Sequence, residues 1–373
     1  MTDWRLLYGP LNDSGDIEGE LPCTSMEYQE TLNGLGRWTA TLPLDPDPAR
    51  LPIPAASGGS SPSPGVTVIT NQNLAVARTR VWFERDGVLQ FPGILWTARA
   101  NLETNTLDLA GEGIGSYFQR RTINATAVYD TDQFDIARDL LIDAQAVPNG
   151  NIGVDPNLAA GSTGVSRQRT WLHYERQNVG QAIEQLAAVD GGFDWRYATA
   201  WDSFLPAVTF QPTYPAEGRR TAHVFEVGTN CALLSYSEDG TTVANVVHAK
   251  GAGDGEDALL VTAQNAALQG PYPILEAVIA HNDVRVLATL AAHARRRLAR
   301  GAGPIRHVQL TTFPDTEPVL GSYQVGDQVT VRADHGWVQL DDWMRIVDMT
   351  VTVDGGAELV RLALAGLEVF TPV

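Results

Sequence analysis

Seven histidines, two cysteines and a surplus of carboxylates are the side chains of this 373-residue sequence that could hold a metal or move a proton. Such chemistry needs several groups converging, and in a sequence this usually shows as short spacings. His173, His223, His248, His281, His293, His307 and His335 are scattered, none with a second histidine or a cysteine at ligand spacing. Cys23 and Cys231 stand far apart and form no CxxC. The acid pairs Asp341-Asp342 and Glu256-Asp257 read as solvated turn residues rather than an acid–base pair or a calcium loop. Lys250 is the only lysine and follows Ala249, which excludes a Gly-Lys-Ser/Thr phosphate loop. There is no HExxH zinc helix and no GxSxG nucleophile elbow. The run Gly251-Ala252-Gly253-Asp254-Gly255 opens like a dinucleotide loop but lacks the third glycine and a βαβ setting, so it reads as a turn. No catalytic residue, cofactor or metal is therefore expected. Arg295, Arg296 and Arg297 could grip phosphate or a cell-wall anion. At the end of a helix they read instead as solvated cations or a subunit or partner contact. Trp38, Trp82, Trp96 and Trp195 could stack on sugar, yet they fall in strand patterns and are expected in cores or interfaces.

The bulk composition narrows the function classes. With 26 basic against 44 acidic side chains the net charge is −18. A protein that grips DNA by its phosphates needs a basic surface, so tight nucleic-acid binding is disfavoured. The acidity suits solubility first, and also a surface past which DNA must slide. Two cysteines do not make a disulfide framework, which points to folding in a reducing cytoplasm. The start MTDWRLLYGP has no basic region followed by an apolar run and does not read as a signal peptide. No apolar stretch approaches the roughly 20 residues that span a bilayer.

The elements that would position these residues alternate in kind. Residues 1–125 read as β-structure: Trp38, Ala40 and Leu42 alternate with polar neighbours, and TRVWFE turns through Arg85-Asp86-Gly87 into VLQF as a hairpin. Inside this region the Pro-, Ser- and Gly-rich stretch 43–65 reads as an exposed loop. Residues 126–204 turn helical. Asp132 is the expected N-cap of a helix with Phe134, Ala137, Leu141 and Ala144 on one face. A second helix is expected from Asn178 to Gly191-Gly192, followed by a strand with Phe193, Trp195 and Tyr197 on one side. Strands return over 205–250 and 305–373. Between them, 251–304 carries a long helix whose stripe is Leu287, Leu290, Ala291, Ala294 and Leu298, stopped by Gly301. The pattern predicts an α+β chain with two β-barrels, 1–125 and 205–250 plus 305–373, and helix-containing peripheral regions at 126–204 and 251–304.

Four segments carry a family resemblance: GILWTARANLETNTLDLAGEGIGSYFQRRTI, TWLHYERQNVGQAIEQLAAVDGGFDWRY, FEVGTNCALLSYSEDGTTVANVVHAKGAGDG, and YQVGDQVTVRA followed by MRIVDMTVTV. In this order they resemble minor tail proteins of actinobacteriophages, siphophage baseplate hubs. These are similar to the hub of contractile-tailed phages and to the N-terminal part of tail-associated lysins. The resemblance spans roughly residues 90–366. Gly251, Gly253, Gly326, Asp327 and Arg345 match the structural turns of that pattern. The resemblance implies a non-enzymatic virion protein with two tail-tube-like barrels. Three copies then offer six barrels to a hexameric tail tube, as a tail-tip hub in the DNA ejection channel. It implies a homotrimer, assembled in the host cytoplasm. Its neighbours would be the distal tail protein, the tape-measure protein and other baseplate proteins, which could supply any host-surface contact. DNA would pass without specific binding, and no membrane segment is implied. A host-surface saccharide-binding tail protein is the alternative class, followed by a cell-wall hydrolase.

Overall fold

The computed structural model describes residues 2–12, 15–44, 69–189, 191–253, 255–281, 284, 287–314 and 316–367. Strands account for 49% of the chain and helices for 15%, so it is α+β with β dominant. Two compact units emerge: Met1–Arg219 with Thr312–Asp327 and Val347–Arg361, and Arg220–Thr311 with Gln328–Ile346 and Leu362–Val373. The 43–65 stretch begins as the end of strand Arg37–Pro43, and from residue 45 onward it lies outside the described residues.

The main sheet of the first unit places residues 357–361 and 347–354 beside Ser25–Thr31. Arg37–Pro43, Thr106–Gly113, Val88–Asn101, Thr79–Arg85, Trp4–Pro10 and Gly19–Leu21 follow in that order. The expected alternation is present: Trp38, Ala40 and Leu42 are buried while Arg37 and Thr39 face out. The predicted hairpin turn is there too, with Asp86 at φ 49° and Gly87 at φ 82°, the paired positive values of a two-residue turn. The core is aromatic: Tyr28 and Phe83 lie 5.2 Å apart and Phe83 and Phe91 6.0 Å apart. Trp38 sits in a slot cut by two glycines. A Cβ on either Gly93 or Gly111 would come within 2.5 Å of its Nε1, which donates to the Ile94 carbonyl at 3.2 Å.

Both predicted helices of this unit form. Helix α1, Gln133–Gln145, starts at Asp132, whose carboxylate accepts from the Phe134 amide at 2.9 Å. Helix α2, Val179–Ala187, starts at Asn178, which accepts from the Gln181 amide at 2.9 Å. Each cap satisfies an amide that the first helical turn leaves open. α2 ends at Ala187, short of Gly191-Gly192, and Gly191 at φ 66° turns the chain afterwards. The apolar faces of both helices meet Phe193, Trp195 and Phe210 in one cluster.

In the second unit the sheet order is Cys231–Asp239, Ile305–Thr312, residues 362–366, residues 338–346, Gln328–His335, Arg220–Glu226. A smaller sheet has Val246–Lys250 at its centre, with Leu260–Gln264 antiparallel and Glu276–Ala280 parallel beside it. Helix α3, Leu287–Arg300, covers this sheet with buried Leu290, Ala294 and Leu298. Leu287, predicted for the same stripe, is exposed, so the contact begins one turn later. The Gly301 amide closes the helix on the Arg297 carbonyl at 3.1 Å.

The expected barrels are open rather than closed: among the described residues no ladder returns to its own first strand. Their ends nevertheless approach each other. In the first unit, Glu358 on one flank of the sheet accepts from Trp4 Nε1 at 2.9 Å and from Arg85 Nε at 2.7 Å on the other. In the second, strands Arg220–Glu226 and Cys231–Asp239 are consecutive in sequence but occupy opposite ends of the sheet. They meet at a single Val227–Cys231 bridge. Alternation and turn residues specify strands locally. Closure depends on stagger accumulated over the whole sheet, which no local pattern records.

Candidate functional site

The residues singled out from the sequence fall into separate places. Gly326 and Asp327 form the best-defined turn. Gly326 has φ 97°, and a Cβ there would press within 2.9 Å of Glu217. Gly218 faces the same spot: its Cβ would lie 2.2 Å from the Gly326 carbonyl carbon. Two backbones pack this closely only without side chains. The buried Asp327 carboxylate accepts from the Arg219 amide at 2.9 Å and the Gln324 amide at 3.1 Å. It thus ties its own turn to the segment entering the next strand. Arg345 is buried in the second unit, in register with Gln328.

Gly251 and Gly253 flank a bend in the second unit. The Gly251 amide donates to the Leu259 carbonyl at 2.8 Å. A Cβ on Gly253, φ 114°, would sit 2.5 Å from the Asp257 carbonyl oxygen. Asp254 lies outside the described residues. Arg295 is exposed on α3, whereas Arg297 turns back to donate to the Thr242 carbonyl at 2.9 Å. Arg296 is partly buried. The three arginines therefore do not share one face. The adjacent acids are ion-paired, Asp341 with Arg332 at 3.1 Å and Asp342 with Arg306 at 2.9 Å. Such surface pairs add little stability.

A polar cluster beside the first unit's core was not foreseen. Asn33 donates to Asp194 at 2.6 Å, and Asp194 accepts from the Glu217 amide at 2.8 Å. Arg196 reaches Glu217 at 3.3 Å. Next to it a cavity of about 40 Å³ is lined by Glu30, Phe91, Trp195, Arg196 and Glu217 among others. A water needs about 10–15 Å³, so the space suits a few waters and not a metabolite. Burial pushes the Glu30 carboxyl up to about 7; Arg196 pulls the other way and Asp348 adds to the rise. His281 and His293 stack with ring centroids 4.1 Å apart, a pairing hidden by their separation in sequence. Among the described residues no group of three or more His, Cys, Asp or Glu is placed to hold a metal ion. Nor is any described helix long and apolar enough to cross a membrane.

The aromatic residues divide as the strand patterns suggest. Trp38, Trp82 and Trp195 are buried, and Trp96 lies under the Arg120 guanidinium at 3.7 Å. The exposed aromatics are elsewhere. Trp337 stands 74% exposed on the turn after Gln328–His335, with Tyr236 of the Cys231–Asp239 strand 5.7 Å away.

No protein-family model matches the sequence, and no curated protein matches it. Solved structures do. A 43 kDa tail protein of prophage MuSo2 from Shewanella oneidensis is 12% identical. It has a TM-score of 0.61, covering 98% of this chain and 100% of that one. A tail protein from Neisseria meningitidis is 14% identical with a TM-score of 0.57, covering 99% and 98%. An Escherichia coli component of the type VI secretion system, described as structurally similar to the bacteriophage T4 tail proteins gp27 and gp5, is 11% identical. It has a TM-score of 0.50 over 96% of this chain and 76% of that one. The chain shares its fold with these phage tail proteins.

Proposed function

We propose that this protein is a structural, non-enzymatic component of a siphophage-type virion: a homotrimeric hub at the tail tip that caps the hexameric tube and lines part of the DNA ejection channel. The observation that carries this reading is the fold shared over nearly the full length of both chains with the prophage MuSo2 tail protein. The tube-like modules of the proposal are residues 1–125 and residues 205–250 with 305–373. Regions 126–204 and 251–304 are peripheral. In this reading Gly251, Gly253, Gly326, Asp327 and Arg345 shape the modules, while Arg295, Arg296 and Arg297 face a subunit or partner. Two modules per chain let three subunits meet sixfold geometry in a closed ring. The distal tail protein and the tape-measure protein are its proposed neighbours, and assembly takes place in the host cytoplasm. The net charge of −18 would keep passing DNA from sticking by like-charge repulsion. Electron microscopy of particles carrying a tagged chain tests this. Three copies around a threefold axis at the distal end of the tail are expected. Copies elsewhere in the particle, or without that axis, refute it.

A further inference from the structure

The cavity beside the first unit's core sets a carboxyl without a partner against aromatic walls. Glu30 lies near the end of strand Ser25–Thr31, where its backbone is in register with Met349. Its side chain lines the cavity together with Phe91, Trp195, Arg196, Tyr197 and Glu217. Phe91 and Trp195 are buried. Arg196 is the only cation in that lining among the described residues, and it is committed elsewhere. Its Nε reaches Glu217 at 3.3 Å and donates to Gln211 at 3.1 Å. Glu217 also accepts from Gln324 at 3.3 Å and from Thr213. Among the described residues no hydrogen bond or ion pair reaches the Glu30 carboxyl. Asp348 acts on Glu30 as a like charge, and Asp194 holds the Glu217 amide at 2.8 Å. Glu30, Glu217, Asp194 and Asp348 thus face Arg196 alone, and the surroundings of the cavity are net negative. A carboxyl left unpaired beside apolar rings costs stability, and such groups gather where a protein binds something.

We propose that this cavity receives the guanidinium of an arginine presented by a different protein, which pairs with the ionised Glu30 carboxylate and packs among the rings of Phe91, Trp195 and Tyr197. Room for a few waters is roughly the room of a guanidinium head. A flat cation gains from a carboxylate and from aromatic faces at once, which an anion or an apolar tip does not. Glu30 is only partly buried, so a side-chain tip reaches it from solvent. A second copy of this chain would bring a net charge of −18 toward a negative site, so charge favours a basic segment of another protein. This contact goes beyond the proposed hub and does not depend on three copies meeting.

The test titrates the full chain with the capped peptide Gly-Ser-Arg-Ser-Gly, and with the same peptide carrying neutral citrulline in place of arginine. Nuclear magnetic resonance of isotope-labelled glutamate carboxyls follows the binding. Saturable binding of the arginine peptide is expected at pH 8. It should be about tenfold weaker at pH 5, with citrulline, or in Glu30→Gln, each of which removes one of the two charges. The arginine peptide should also pull the Glu30 titration down toward the ordinary carboxyl range. No saturable binding, equal binding of the two peptides, or undiminished binding by Glu30→Gln overturns the proposal. A Glu30 titration that the arginine peptide leaves unmoved overturns it as well. Light scattering of the wild type and Glu30→Gln separates the other source of an arginine. Self-association lost only in the variant would seat a second copy in the cavity and overturn the choice of partner. The proposed trimer stands or falls separately, by its threefold axis in the particle.

Discussion

Glu30 is a carboxyl held at the edge of the first unit's core, pushed up to about 7 by loss of water despite the nearby Arg196. In the unfolded chain the same group titrates near the ordinary value of 4.5. Between the two values the folded protein binds the extra proton, so stability falls as pH rises through that window. Glu30→Gln mimics the protonated form. It is expected to raise stability at pH 8 by about 1–3 kcal/mol, after allowance for the part of the side chain that water reaches, and to change little at pH 4. Urea unfolding at the two pH values measures it, and an equal effect at both would falsify the assignment. Asp132 shows the opposite balance. Burial raises its pKa, but hydrogen bonds from Ser162, Phe134, Thr163 and Gly164 outweigh that and lower it. Its cap is accordingly charged at neutral pH and weakens only as acid protonates it.

At the scale of elements, the strands around Trp38 show why small residues recur in this sheet. Gly93 and Gly111 sit on neighbouring strands, and the indole lies where their side chains would be. Gly93→Ala forces Trp38 out of its slot or the strands apart, and overpacking of this kind costs about 1–3 kcal/mol. Thermal unfolding of the variant should show that loss, together with a changed near-ultraviolet signal from the tryptophan. A fully wild-type profile would mean that the slot is loose. Helix α2 offers a milder case. Asn178→Ala removes the acceptor of the Gln181 amide and should cost about 1 kcal/mol, whereas Asn178→Asp should retain most of it.

For the molecule as a whole, the proposed role is one of assembly. Exposed apolar and aromatic side chains are available for contacts of that kind. Leu234 is 54% exposed, for example. If the acidic surface lets DNA slide past, the full chain should give no mobility shift with linear duplex DNA at roughly 150 mM salt. A salt-sensitive shift would place a basic surface where the proposal needs an acidic one. In the proposed trimer each contact should bury well above ~1,000 Å², as permanent interfaces do.

What the sequence determined by itself was local. The caps at Asp132 and Asn178, the alternation in Arg37–Pro43 and the turn at Asp86-Gly87 depend on neighbours within a few residues, so composition and spacing reveal them. The glycine-aspartate turn at 326–327 entered only through the family resemblance, and its partners at 217–219 were not foreseen. The tertiary structure alone decided the rest. It placed Gly93 and Gly111 against Trp38 and brought His281 over His293. It set Glu358 beside Trp4, 354 residues away in the chain, and left strands joined by a short turn at opposite ends of one sheet. These outcomes follow from strand order and sheet curvature, sums over many distant contacts that no short window of sequence contains.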